Sequence, residues 1–280
     1  MTYQEISGKI CSMLENADFE NAAVEAENLI IEILNISRSE FSIRKIMRTQ
    51  LTDEEETTLI KAAEKLALPY PLQYITGRAY FRDLVLNVSP GVLIPRFETE
   101  ILVDHVLKEI PENGKLLDVG TGSGAIAISC ASERKDISVL AVDISDKALD
   151  IAKGNAKKYE LQNISFRRSD LFSEISAEEK FDVIAANLPY VACDEYETLH
   201  RQVKDWEPQL ALTADDCGMA LIKKACLNLS GVLTQNGYAV FEMSPWQTDH
   251  IKLLLEELGF KAEIIKDYTG RRRFVSAKRK

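Results

Sequence analysis

The stretch that decides the fold is "LLDVGTGSGAIAI", residues 116–128. Leu116, Leu117 and Val119 form a short apolar run of the kind that makes a buried strand. Gly120, Gly122 and Gly124 follow at alternate positions. They let the chain turn tightly and let a ligand approach the backbone. "GAIAISCAS" then reads as a helix whose first amides lack intrahelical partners. Asp143 ends the next strand, 23 residues after Gly120. A carboxylate there can accept both ribose hydroxyls of an adenosine. No Lys-Ser/Thr follows the glycines, so the turn is not a phosphate-binding P-loop. Read loosely, Gly120-x-Gly122-x-x-Ala125 also fits a dinucleotide fingerprint. Asp118, just before the turn, opposes a pyrophosphate and suits a cationic ligand.

The same alternation of strand, turn and helix continues to the C-terminus. "SVLAVD", "ISFRR", "FDVIAAN", "GYAVFEM", "AEIIKD" and "RRFVSAK" read as strands. "DKALDIAKGNAKKY", "GMALIKKACLNL" and "QTDHIKLLLEELGF" read as helices. This pattern predicts an open, mostly parallel α/β sheet with helices on both faces. The N-terminal part is different. Ala26, Leu29, Ile30, Ile33 and Leu34 share one helical face, and "TDEE" at 52–55 is a capping box. The division expected is a helical bundle over 1–70, a linker with a β-hairpin over 71–95 and an α/β domain over 96–280.

Composition narrows the class. The 280 residues are 46% hydrophobic and 28% charged, ordinary for a globular chain. The N-terminus has no basic start and apolar h-region, so no signal peptide is expected. No apolar run approaches the ~18 residues that span a bilayer. The five cysteines lack C-x-x-C spacing and the three histidines are scattered. Neither a disulfide framework nor a metal site is expected, and a cytoplasmic location fits. A net charge of −10 disfavours direct gripping of a nucleic-acid backbone. The basic end, "GRRRFVSAKRK", reads as a solvated strand edge.

A second polar motif ends a later strand: "FDVIAANLPYV", residues 181–191. The Asn187 amide both donates and accepts. The Leu188 carbonyl, fixed by Pro189, is a second acceptor, and Tyr190 offers a flat face. Together they can hold a planar –NH2 group. Such a nitrogen is a poor nucleophile because its lone pair is delocalised. Fixing both N–H bonds aims that lone pair at an electrophile, and positioning of this kind can supply about 7–11 kcal/mol. The cofactor implied is S-adenosylmethionine, whose sulfonium methyl is already activated.

These motifs, with several others, resemble the HemK (PrmC) family of protein-(glutamine-N5) methyltransferases. The similar stretches are "PLQYITG" (71–77), "PGVLIPRFETE" (90–100), the glycine turn, "AVDIS" (141–145), "SDLF" (169–172), "NLPYV" (187–191), "WEPQLAL" (206–212) and "DYTGRRR" (267–273). The resemblance runs from about Tyr70 to the C-terminus, and the helical N-terminus matches in layout more than in sequence. It implies a Rossmann-like methyltransferase sheet with a small helical domain, the latter for partner docking. It also implies methylation of the glutamine in the Gly-Gly-Gln motif of peptide-chain release factors, with S-adenosyl-L-homocysteine as the other product. Gly120, Thr121, Gly122, Ser123, Gly124, Asp143, Asp170, Leu171 and Asn187 would line the cofactor, beside Asp118. Asn187, Leu188, Pro189 and Tyr190 would hold the glutamine.

Two positions depart from the family pattern. Leu188 replaces the first proline of Asn-Pro-Pro-Tyr, which retains the carbonyl and loosens the turn. Phe97 stands where proline is usual. Asn-Leu-Pro-Tyr also occurs in ribosomal-RNA adenine-N6 dimethyltransferases of the KsgA type. Those want a basic face and a glycine turn near the N-terminus, whereas this chain is acidic and has more than a hundred residues before Gly120. A third reading is a cofactor-binding module with impaired catalysis, which only Leu188 favours.

Overall fold

Two threonines open helices in the first part of the chain by the same device. The Thr52 hydroxyl accepts the Glu55 N–H at 3.1 Å, and the Glu55 carboxylate accepts the Thr52 N–H at 2.8 Å. Thr2 and Glu5 repeat the exchange, so each pair satisfies two of the free amides of a helix start. A computed structural model describes residues 1–279. The helices here are α1 (Tyr3–Glu15), α2 (Ala22–Leu34), α3 (Arg38–Ile46), α4 (Asp53–Ala67) and α5 (Leu72–Thr76). Their core holds Tyr3, Ile6, Ile10, Leu29, Ile30, Phe41, Leu59 and Leu66. On α2, Ala26, Leu29 and Ile30 are buried as their spacing predicts, while Ile33 and Leu34 are only partly covered.

The chain forms two compact units. One is Met1–Gly77 joined by Arg201–Trp206; the other holds the remaining described residues. The second begins with a hairpin, β1 (Arg78–Phe81) and β2 (Leu84–Asn87). Helix α6 (Glu100–Glu109) leads into β3 (Lys115–Val119), α7 (Ala125–Glu133), β4 (Ser138–Asp143), α8 (Asp146–Lys158), β5 (Ile164–Arg168) and β6 (Phe181–Ala186). Then come β7 (Val191–Ala192), the short α9 (Arg201–Lys204) that belongs to the helical unit, and β8 (Thr213–Ala214). The chain ends with α10 (Ala220–Asn228), β9 (Leu233–Glu242), α11 (Thr248–Glu257), β10 (Phe260–Lys266) and β11 (Arg272–Arg279).

The main sheet has the order β10-β11-β9-β6-β3-β4-β5. Strands β9, β6, β3, β4 and β5 are parallel, and β11 and β10 close one edge antiparallel. Side chains alternate between two apolar layers, as a pleated strand requires. Leu116, Val139, Ala141, Val183 and Ala185 face Leu102, Val106, Ile126 and Cys130 of α6 and α7. Leu117, Val119, Val142, Ile184 and Ala186 face Ile222, Cys226, Ile251 and Leu255 of α10 and α11. With both faces covered, the carboxyl ends of β3, β4 and β6 are where a ligand can lie.

The hairpin is fastened to this layer system. Asn155 of α8, fully buried, accepts the Asn87 N–H at 2.7 Å and donates to the Ser123 carbonyl at 2.9 Å. One side chain therefore connects the hairpin to the glycine turn.

Candidate active site

The glycine turn fits its sequence because each glycine takes a conformation that other residues avoid. Gly120, Gly122 and Gly124 have φ of 73°, 57° and 86°, in the left-handed region. The turn is tied back by the Gly120 and Thr121 amides, which donate to the Val142 carbonyl at 2.9 and 3.0 Å. At Gly124 a Cβ would fall 2.6 Å from the Ile128 side chain. At Gly120 it would meet Leu188 at 3.2 Å, so the turn passes directly beside the NLPY segment. This follows from the register, which pairs Val119 with Ala186.

A cleft of about 380 Å³ opens at these strand ends, a size that suits a small-molecule ligand. Gly120, Thr121, Gly122 and Ser123 line one side, with Asp143 beside them. Asp170 and Leu171 line it further along, and Asn187, Leu188 and Pro189 form another wall. The Asp143 carboxylate accepts the Gly122 N–H and the Ser145 N–H, each at 2.9 Å, one on each oxygen. Burial raises its pKa and these amides oppose the rise. Asp170 is exposed and pairs with Lys224 at 2.8 Å.

Three residues singled out in the sequence lie behind the wall rather than in it. Gly124 starts α7 and packs inward. Asp118 is fully buried, and its Oδ2 accepts the Thr121 hydroxyl at 2.6 Å and the Ala127 N–H at 3.2 Å. Its Oδ1 has no partner, and burial pushes its pKa up to about 7. Tyr190 is turned away from the cleft, its hydroxyl donating to Glu242 at 3.3 Å. Its carbonyl accepts from the buried Gln247 side chain at 2.9 Å.

Several wall residues have no role assigned from the sequence. Gly91, Val92, Arg96 and Thr99, from a stretch without periodicity, line the cleft. The buried Glu207 holds this stretch: it accepts the Arg96 guanidinium at 2.6 Å and the Ile94 N–H at 3.1 Å. Thr99 receives the Asn187 side-chain N–H at 3.1 Å and gives its own proton to Glu242 at 2.7 Å. Glu242, at the end of β9, is buried, and burial pushes its pKa up to about 7. The signal available was the family stretch "PGVLIPRFETE" and the acidic residue in the apolar run "YAVFEM". Among the described residues no group of three His, Cys, Asp or Glu is placed to hold a metal ion, and no helix is long and apolar enough to cross a membrane.

Known proteins resemble this chain along most of its length. Residues 97–213 match the methyltransferase small domain, and residues 6–77 match the PrmC N-terminal domain. The release factor glutamine methyltransferase of Lactococcus lactis is 40% identical over 237 residues, 83% of this chain and 86% of that protein. That of Streptococcus pneumoniae is 37% identical over 275 residues, 95% of this chain and 97% of that one. A solved methyltransferase from Pyrococcus furiosus shares the fold, with a TM-score of 0.54 at 16% identity over 81% of this chain and 98% of that one. The similarity spans 95% of the chain and the N-terminal region matches a family domain of its own, so the chain belongs to the release factor glutamine methyltransferase family.

Proposed function

We propose that this protein transfers a methyl group from S-adenosyl-L-methionine to the side-chain amide nitrogen of the glutamine in the Gly-Gly-Gln motif of peptide-chain release factors. The observation that carries the reading is the shared cleft. The acceptor-bearing Asn187–Pro189 wall stands beside the glycine turn and Asp143 in one cavity.

The residues present fit the cofactor. Backbone amides occupy one face of the Asp143 carboxylate, Gly122 on one oxygen and Ser145 on the other, and the carboxylate has further lone pairs for the ribose hydroxyls. The Gly120 backbone is open to close approach, and Asp118, in the ionised form it takes above about pH 7, biases the turn toward a cation. When bound, the cofactor supplies an electrophilic methyl carbon. The protein's part is orientation. The Asn187 side-chain oxygen and the Leu188 carbonyl accept the two N–H bonds of the glutamine amide and fix its plane. Held this way, the amide nitrogen would face the cofactor's methyl carbon, and the proton it sheds on methylation would pass to solvent. No strong base is required, because a methylated, cationic amide nitrogen is acidic. Preorganised acceptors of this kind need no rearrangement as the bond forms.

The partner in this reading is the release factor itself, in the cytoplasm, with no direct grip on nucleic acid. The helical unit serves docking. Ile43, Ile46 and Met47 on and after α3 are 62%, 79% and 72% exposed, an apolar cluster that suits a protein partner better than water.

The test is incubation with labelled cofactor and a release factor, followed by mass mapping. Label on the Gly-Gly-Gln glutamine, absent when that residue is changed to alanine, is the expected result. Label on the alanine version, or preferential label on an adenine of ribosomal RNA, would overturn the assignment.

A further inference from the structure

A carboxylate buried at the end of an apolar strand is costly unless it is paired and hydrogen-bonded. Glu242 ends β9 with 1% exposure, and two hydroxyls reach it. One is Tyr190, at Oε1; the other is Thr99, at Oε2. Thr99 in turn touches Asn187. The four side chains form one chain of hydrogen bonds: Asn187 to Thr99 to Glu242, with Tyr190 joining from the other side.

We infer that Glu242 and Thr99 are positioning residues that set which way round the Asn187 amide faces the cleft. The inference deepens the proposed function and rests on that reading for its kinetic consequence. A carboxylate has acceptors and no donor. The Thr99 proton is therefore committed to Glu242, and the remaining capacity of the Thr99 oxygen toward Asn187 is as an acceptor. Only the –NH2 end of the Asn187 amide satisfies it, at 3.1 Å. The amide oxygen is left as the end available to a ligand in the cleft. Reversed, Asn187 would present –NH2 to the substrate's own –NH2, donor against donor. The Tyr190 hydroxyl occupies the second carboxylate oxygen and so helps keep Oε2 for Thr99.

The burial that pushes Glu242 up to about 7 is opposed by the nearby charge of Arg273 and by the Thr99 and Tyr190 hydroxyls. The value of about 7 is what remains after these groups act, so the carboxylate form that the device needs is the majority form above about pH 7.

Three variants and two readouts test the inference. Thr99→Val removes the hydroxyl at nearly constant shape. Thr99→Ser restores it. Glu242→Gln replaces an acceptor-only group by one that can also donate. The first readout needs no substrate: hydrogen exchange of the Asn187 side-chain amide by nitrogen-edited NMR of the whole protein. The Asn187 amide protons exchange at least tenfold faster in Thr99→Val than in the unaltered protein, and Thr99→Ser recovers the slow rate. Unchanged exchange in Thr99→Val overturns the inference, whatever acceptor the enzyme methylates. The second readout is single-turnover methylation of a release factor at saturating cofactor. Thr99→Val lowers the rate at saturating substrate by about 10- to 100-fold, the scale of lost positioning. Cofactor affinity by calorimetry stays within about twofold, which a general loss of structure would not leave intact. The double variant Thr99→Val with Glu242→Gln is no slower than Thr99→Val alone, because Glu242 acts through Thr99. Additive losses, or a full rate in Thr99→Val, overturn the inference. Faster exchange in a protein that labels no glutamine leaves the Asn187 hold standing and removes the glutamine reading.

Discussion

Substituting Gly218 tests whether the NLPY turn must be held from behind. Gly218 has φ of 79°, and a Cβ there would lie 2.1 Å from the Tyr190 carbonyl oxygen and 2.8 Å from the Gln247 amide nitrogen. The Gln247 amide holds that same carbonyl at 2.9 Å. Gly218→Ala therefore has two costs. The left-handed conformation costs about 1–2 kcal/mol for any residue with a Cβ. The overlap adds a displacement: ordinary carbon contacts begin near ~3.5 Å, so the Tyr190 carbonyl or the Gly218 loop must shift by about 1 Å. That breaks or stretches the Gln247 bond, worth about 1 kcal/mol. A shift of about 1 Å next to the reacting atoms is enough for a loss of about 100-fold in rate. The control is Gly259→Ala, at φ of 87° with nothing within 4 Å, which carries the strain without the overlap. Both variants are compared by urea unfolding and by single-turnover methylation. Gly218→Ala should lose the rate and Gly259→Ala should lose only stability. Equal rates in the two variants would refute the claim that the turn is held through Gly218 and Gln247.

Asp143→Ala removes the acceptor assigned to the ribose hydroxyls, each charge-assisted bond being worth about 1.5–3 kcal/mol; calorimetry should show cofactor affinity down at least tenfold, and an unchanged affinity would count against the site. Asp118 is raised from 3.8 to about 7 by burial, so its contribution to stability is fully present below pH about 4 and is lost as pH rises through about 7, up to about 4 kcal/mol in all. Asp118→Asn should flatten the loss of stability between pH 5 and pH 8 in urea unfolding, and an identical slope in the variant would remove Asp118 as its source. Leu188→Pro keeps the carbonyl and stiffens the turn, so the methylation rate should hold or rise. The same change should lower stability, because Leu188 is buried against the glycine turn; a collapse in rate with stability intact would contradict both halves.

Most strands of the main sheet were legible because they are short apolar runs closed by a turn residue, and their alternation with helices predicts a sheet covered on both faces. The capping threonine at 52 was legible because its two bonds are local in sequence. What was not legible depends on strand order. Thr99 and Glu242 are 143 positions apart, and the pairing of β9 with β6 brings Glu242 to the strand end that carries Asn187. The run from Ser89 to Arg96 has no period to read, and it becomes a wall only when Glu207 fastens it. The parallel pairing of Val191 with Thr213 joins two segments that each look like loop. Asp118 shows the limit of reading a motif without its pleat. In β3 it alternates onto the same face as Leu116, toward α7, so its carboxylate turns to Thr121 and Ala127 instead of the cleft.

That geometry gives the two halves of the site a common construction. Behind the glycine turn, buried Asp118 takes the proton of Thr121 at 2.6 Å. Behind Asn187, buried Glu242 takes the proton of Thr99 at 2.7 Å. Both threonines line the cleft, and neither carboxyl does. Once ionised, a carboxylate has no donor of its own and fixes the direction of a hydroxyl, and the hydroxyl oxygen is then committed as an acceptor toward its other neighbour. Orientation is thereby set by groups the ligand never touches. The cost is two carboxyls whose pKa values burial raises to about 7, each less comfortable in the folded protein as pH climbs. A wall built from apolar residues alone would be more stable and would present no directed acceptors. The stability given up at these two positions is what holds the cleft's polar groups in one orientation before any ligand arrives.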